Sequence, residues 1–140
     1  MTGDRRRDRG GPRRARRSFG GDDATATRLT GEELAGRVRA ELDGAGDVGN
    51  RWHGVTRATL AAQLVVPARR ARFASAHHPD RITWLWIVFD EAPGTAGGYL
   101  IVYAEHAQQF GLAIKGDGRA RPGTYLGAYG ATFRDALTAM

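Results

Sequence analysis

Apolar residues recur along this chain in two rhythms, and the point where the rhythm changes divides it. Leu34, Val38 and Leu42 fall at helical spacing and make one stripe. Just ahead, Thr30-Gly31-Glu32-Glu33 has the form of a capping box, so a helix is predicted to start at Thr30, with Glu33 closing the box. Gly44 and Gly46 stop it. A glycine-rich loop over 44–51 follows, and Trp52-His53-Gly54-Val55 is read as the anchor leading into a second helix. That helix has Thr56 as N-cap and Leu60, Leu64 and Val65 on its buried side. Pro67 is expected to end it, because proline disfavours helical geometry in the residue before it.

Beyond Pro67 the period becomes two. Arg70 and Arg72 alternate with Ala71 and Phe73, the pattern of a half-buried strand, with a continued helix as the alternative. His77-His78-Pro79-Asp80 is a turn. Residues 82–89, rich in aromatic and β-branched side chains, are the clearest strand. A proline- and glycine-bearing loop over 92–98 leads to a strand over 99–104, a turn over 105–108 and a returning strand over 109–115. A loop over 116–123 and a short strand over 124–129 come next, and Gly130 breaks that strand. Thr132 and Asp135 can cap a last helix carrying Phe133, Leu137 and Met140. Connections this short favour antiparallel neighbours, since a parallel pair needs a crossover of about a dozen residues. The expected fold class is α+β: two N-terminal helices, a four- or five-stranded antiparallel meander and one C-terminal helix.

The strand faces carry a further signal. Ile82, Trp84, Trp86 and Val88 alternate with Leu85, Ile87 and Phe89, and Tyr99, Ile101 and Tyr103 alternate with Leu100, Val102 and Ala104. Both faces are apolar. Three helices cover one face. The other is either covered too, with the aromatics filling the core, or open. An open face bearing Trp84, Trp86, Tyr99 and Tyr103 would exceed the few hundred Å² that monomers usually leave exposed, which marks an interface.

Charge changes the picture at one end only. The net charge is +6, and residues 1–20 hold eight arginines against two aspartates. Removing these from the chain's 21 basic and 15 acidic residues leaves 13 of each, so the remainder is neutral. Residues 1–28 are expected to be a disordered Arg-rich tail and residues 29–140 a single domain, because Phe19 is the one large apolar residue between Thr2 and Arg28. Arg16-Arg17-Ser18-Phe19 has the outline of an export signal, but no apolar stretch follows it, so that reading is rejected and a cytoplasmic location expected. The tail is either an electrostatic arm for nucleic acid, through Arg5, Arg6, Arg7, Arg13, Arg14, Arg16 and Arg17, or a solvated extension. Twenty of the 21 basic residues are arginine, as in a bacterial chain from a GC-rich genome, so codon bias competes with phosphate binding as the source.

The candidate chemistry is sparse. Without cysteine there is no disulfide, thiolate metal site or cysteine nucleophile. No apolar run approaches the roughly 18 residues of a membrane span. Adjacent His77 and His78 point opposite ways on an extended backbone and match no metal motif. Residues 116–123 look like a phosphate loop but lack its GK[ST] ending and precede a strand. An acid–base site would need His53, His106, Asp90 or Glu105 brought together. No cofactor or metal is expected. The leading expectation is a non-enzymatic protein-interaction module, of the adaptor or immunity type by analogy, using the aromatic face to bind a protein or a second copy. The alternative is nucleic-acid binding through the arginine arm.

Overall fold

A computed structural model describes residues 29–46, 48–116 and 121–140. The arginines of residues 1–28 and the middle of the 116–123 loop lie outside the described residues.

The first helix, α1 (Gly31–Gly44), begins as its capping box dictates. The Thr30 hydroxyl accepts the Glu33 N–H at 3.1 Å, and the Glu33 carboxylate accepts the Thr30 N–H at 2.9 Å. Its buried side is Leu34, Ala35, Val38 and Leu42. The second expected helix survives only in reduced form, as the seven-residue α2 (Arg57–Gln63) capped by Thr56. It stops short of Pro67, and Leu64 and Val65, expected on its buried side, already belong to a strand. The β-branched pair Val65–Val66 resists helical rotamers, and Pro67 bars Val66 from the helical region. Pro67 lies where the strand's register slips, one of the few places a sheet tolerates proline.

Five strands follow: β1 (Leu64–Ser75), β2 (Ile82–Asp90), β3 (Tyr99–Ala104), β4 (Gln109–Ile114) and β5 (Gly123–Gly130). Successive strands pair antiparallel, and β5 then returns to β1, closing a barrel. A meander of five strands starts and ends in the same direction, so the closing pair has to be parallel. It is short, running from Phe73 opposite Gly123 to Ser75 opposite Tyr125. The last helix, α3 (Phe133–Ala139), is capped by the Thr132–Asp135 pair. Glu41 on α1 accepts the Phe133 and Arg134 N–H groups with its two oxygens, both at 2.9 Å, and so ties the end of one helix to the start of another. Among the described residues the architecture is α+β, with a five-stranded sheet that is antiparallel up to its closing pair, and three α-helices.

Closure explains why both strand faces are apolar. Phe73, Leu85, Ile87, Leu100, Val102, Ala104 and Ala113 fill the barrel's inside. On the outside, Trp86, Val88, Phe89, Ile101, Tyr103, Phe110 and Leu112 pack under Leu34, Val38 and Leu42 of α1 and Phe133, Ala136 and Leu137 of α3. Phe89 departs from strict alternation. A register slip between Ile87 and Phe89 turns it outward to the helices, away from the face it was expected to share with Leu85 and Ile87. No helix among the described residues is long and apolar enough to cross a membrane.

Candidate functional site

The helices leave part of the barrel's outer wall bare. On β1 and β2, Arg70 stands opposite Trp86 and Arg72 opposite Trp84. Trp86 is 8% exposed and Tyr103 2%, whereas Trp84 is 54% exposed, with Ile82 also open beside it. The difference follows from α1, which reaches over this row. Arg37 lies over the Tyr103 ring, 5.3 Å from its centroid. Tyr99 is half-buried, with the His53 ring edge-on at 5.5 Å. The four aromatics singled out in the sequence therefore do not share one open face, and Trp84 alone of them presents itself to solvent.

Trp84 does not stand loose. The Arg70 guanidinium carbon sits 5.7 Å from the Trp84 ring centroid and 5.6 Å from that of Trp86, a cation shared by two indoles. The Trp86 ring is fixed in turn by its N–H, which donates to Glu105 at 3.1 Å. The second Glu105 oxygen accepts the Leu29 N–H at 3.2 Å, so the described chain begins beside this patch.

A cleft of about 570 Å³ opens at the end of the barrel where β2 and β4 finish and β3 and β5 start. Its floor includes Ala71, Phe73, Ile87 and Leu100 from the barrel's inside, and Arg69, Arg72 and Arg121 lie along it. One wall carries Lys115 and Asp90, paired at 2.8 Å. Lys115 also donates to the Ala92 and Thr95 carbonyls, both at 2.7 Å, so this ammonium ties down the β2–β3 loop. Tyr125 adds its ring to the barrel's inside, and burial there pushes its phenol up from the ordinary value.

Three of the four candidate acid–base groups, His53, Asp90 and Glu105, are drawn into separate structural ties. His53 Nδ1 meets Glu91 at 2.6 Å, the other Glu91 oxygen accepts the Tyr99 N–H at 2.9 Å, and Gln63 donates to the Glu91 carbonyl. Asp90 serves Lys115, Glu105 serves Trp86 and Leu29, and His106 is exposed in a turn. His77 and His78 are exposed as well. No group of three or more potential metal ligands gathers among the described residues.

Two features went unread in the sequence. Trp52, expected to anchor the way into α2, is 97% exposed on a one-turn 3₁₀ segment, and the anchoring falls to buried Val55 and half-buried His53. The second is the cleft, along which Arg69 and Arg121 both lie only because the barrel closes. The one local hint was Arg69-Arg70, adjacent in a strand and therefore on opposite faces. No family model, no curated protein and no solved structure matches this chain.

Proposed function

We propose that this protein is a non-enzymatic interaction module that binds a protein partner, or a second copy of itself, through the bare outer wall of β1 and β2. The observation that carries this reading is Trp84, a large apolar ring left half open and braced by a cation it shares with Trp86. Tryptophan and arginine dominate binding hot spots because they combine large contact area with directional polar groups. A ring already held by its neighbour loses less conformational freedom on docking than a free one. Ile82 extends the apolar contact, and Arg72 supplies a polar rim.

One observation favours a second reading. Leu29 is held by Glu105 next to Trp86, so the arginine-rich residues 1–28 are joined to the chain beside the same patch. Stacking on Trp84 with phosphates held by the arginines would suit an unpaired nucleic acid strand.

Trp84→Ala tests the first reading. Partner binding, or self-association followed by light scattering, is expected to weaken by about 30-fold or more, the cost of a hot spot at about 2 kcal/mol. Folding stability is expected to fall by no more than about 1 kcal/mol, the worth of the exposed contact with Arg70. Undiminished binding by a folded Trp84→Ala protein would remove Trp84 from the interface. For the second reading the measurement is oligothymidine affinity against salt. If about six phosphates are neutralised, affinity for this single strand falls by roughly 300-fold between about 50 and 200 mM salt.

A further inference from the structure

The cleft at the end of the barrel gathers more positive charge than the fold itself uses. Arg69, Arg72, Lys115 and Arg121 line it, against Asp90 as the one carboxylate among its described residues. Lys115 and Asp90 engage each other. The guanidiniums of Arg69, Arg72 and Arg121 form no ion pair or hydrogen bond with any described residue. Closure of the barrel brings them to one place. Arg69 stands four residues before Phe73 and Arg121 two residues before Gly123, and Phe73 and Gly123 are partners in the closing pair. At about 3.3 Å per residue, Arg121 stays within about 7 Å of that pair and Arg69 within about 13 Å. Cations of one sign at the mouth of a low-dielectric barrel focus their field into the cleft and draw an anion to it.

We propose that this cleft binds a small organic phosphate, a phosphate monoester with a compact apolar body. The guanidinium group suits phosphate because its planar fork donates two parallel N–H bonds to two oxygens. A phosphate ester brings a charge of about −1.5 to −2 at neutral pH and three strong acceptor oxygens, enough for more than one arginine at a time. The apolar body has its own place. Ala71, Phe73, Ile87 and Leu100 form the floor, and they are packed into the barrel's inside, so the surface they offer is fixed. The wall does not oppose an anion, because Asp90 is neutralised by Lys115, which the Ala92 and Thr95 carbonyls hold in place. The volume of about 570 Å³ falls within the range of about 300–1,000 Å³ that small-molecule sites occupy. Arg72 also borders the Trp84 wall, where it stands in register with Trp84. Arg69 and Arg121 have no part in that contact, and the inference stands on them and on the floor, independently of any docking at Trp84.

The test titrates the full chain with phenyl phosphate, read by calorimetry and by the amide shifts of the isotope-labelled protein. The dissociation constant is expected at about 1 mM or below, with the shifts gathered at residues 69–73 and 121–123. Inorganic phosphate leaves the floor uncovered, and phenol leaves the arginines without a counter-charge. Each is expected to bind at least about tenfold more weakly than phenyl phosphate. Arg69→Glu combined with Arg121→Glu, both at exposed positions, is expected to weaken phenyl phosphate by at least about tenfold. Arg39→Glu combined with Arg134→Glu makes the same change of charge on α1 and α3 and is expected to leave the affinity within about twofold. Equal binding of inorganic phosphate would overturn the proposal, and so would shifts that fall outside the cleft, without any variant having to fold. Unchanged affinity in the folded Arg69 and Arg121 double variant would overturn it too, since the anion would then sit on the arginines of residues 1–28. Equal losses in the two double variants would reduce the effect to net charge and end the proposal, as would absence of binding at about 10 mM phenyl phosphate.

Discussion

Gly123→Val is expected to break the barrel's closure. A Cβ at this position falls 2.6 Å from a Phe73 ring carbon and 2.6 Å from the Ile114 carbonyl oxygen. Neither neighbour can give way. Phe73 is one of the fully buried side chains of the barrel, and the carbonyl belongs to the backbone of β4. The start of β5 would have to move off both flanking strands at once. The β1–β5 pairing there is only three residue pairs long, so little holds it against such a shift. The expected loss is about 3 kcal/mol, the upper part of the usual cost of overpacking. Urea denaturation measures it, and amide exchange locates it: protection should vanish at residues 73–75 and 123–125 while the β2–β4 meander keeps its own. A variant with unchanged exchange at those positions would mean that the pairing does not close the barrel.

Phe133→Ala is expected to cost more, about 3–5 kcal/mol, as for other buried phenylalanines. The ring is fully buried at the first residue of α3, with its centroid 6.0 Å from that of Phe89 and 6.3 Å from that of Phe110, edge-to-face with both. Such pairs add roughly 0.5–1.5 kcal/mol to the area they bury. A seven-residue helix has no stability of its own, so α3 stays folded only while it is docked. At about 4 °C per kcal/mol, thermal unfolding should start some 12–20 °C lower. The contrast with Trp84→Ala is informative. Both remove a large aromatic ring, but only the one under the helices should move the melting temperature appreciably.

The parts of this fold that were legible in the sequence are those that short stretches of chain decide for themselves. The Thr30–Glu33 and Thr132–Asp135 capping pairs each join residues three apart and appear as read. The strand over 99–104 lies where its β-branched and aromatic run put it. The closing pair was not legible, because it joins Phe73 to Gly123 across fifty residues and no periodicity encodes so distant a contact. Without closure, the apolar inner face of β2 and β3 had no evident cover, and an open aromatic surface was the natural inference. The slip that turns Phe89 outward is also invisible to a strict two-residue alternation. The candidate sites share that difficulty. Trp84 was named from its residue type, but its exposure depends on where α1 ends its reach. Arg69 and Arg121 become neighbours of one cleft only after the strands have closed.

Lys115 is the chain's single lysine, and its ammonium is engaged by Asp90 and by the carbonyls of Ala92 and Thr95. In the folded molecule the one side-chain amine is therefore sequestered, an uncommon situation for a surface loop. Acylating reagents, and any enzyme that marks proteins on lysine, can reach it only when the tip of the β2–β3 hairpin lets go. The pace of acylation at this nitrogen is thus a clock for that local opening, with no competing lysine to obscure it.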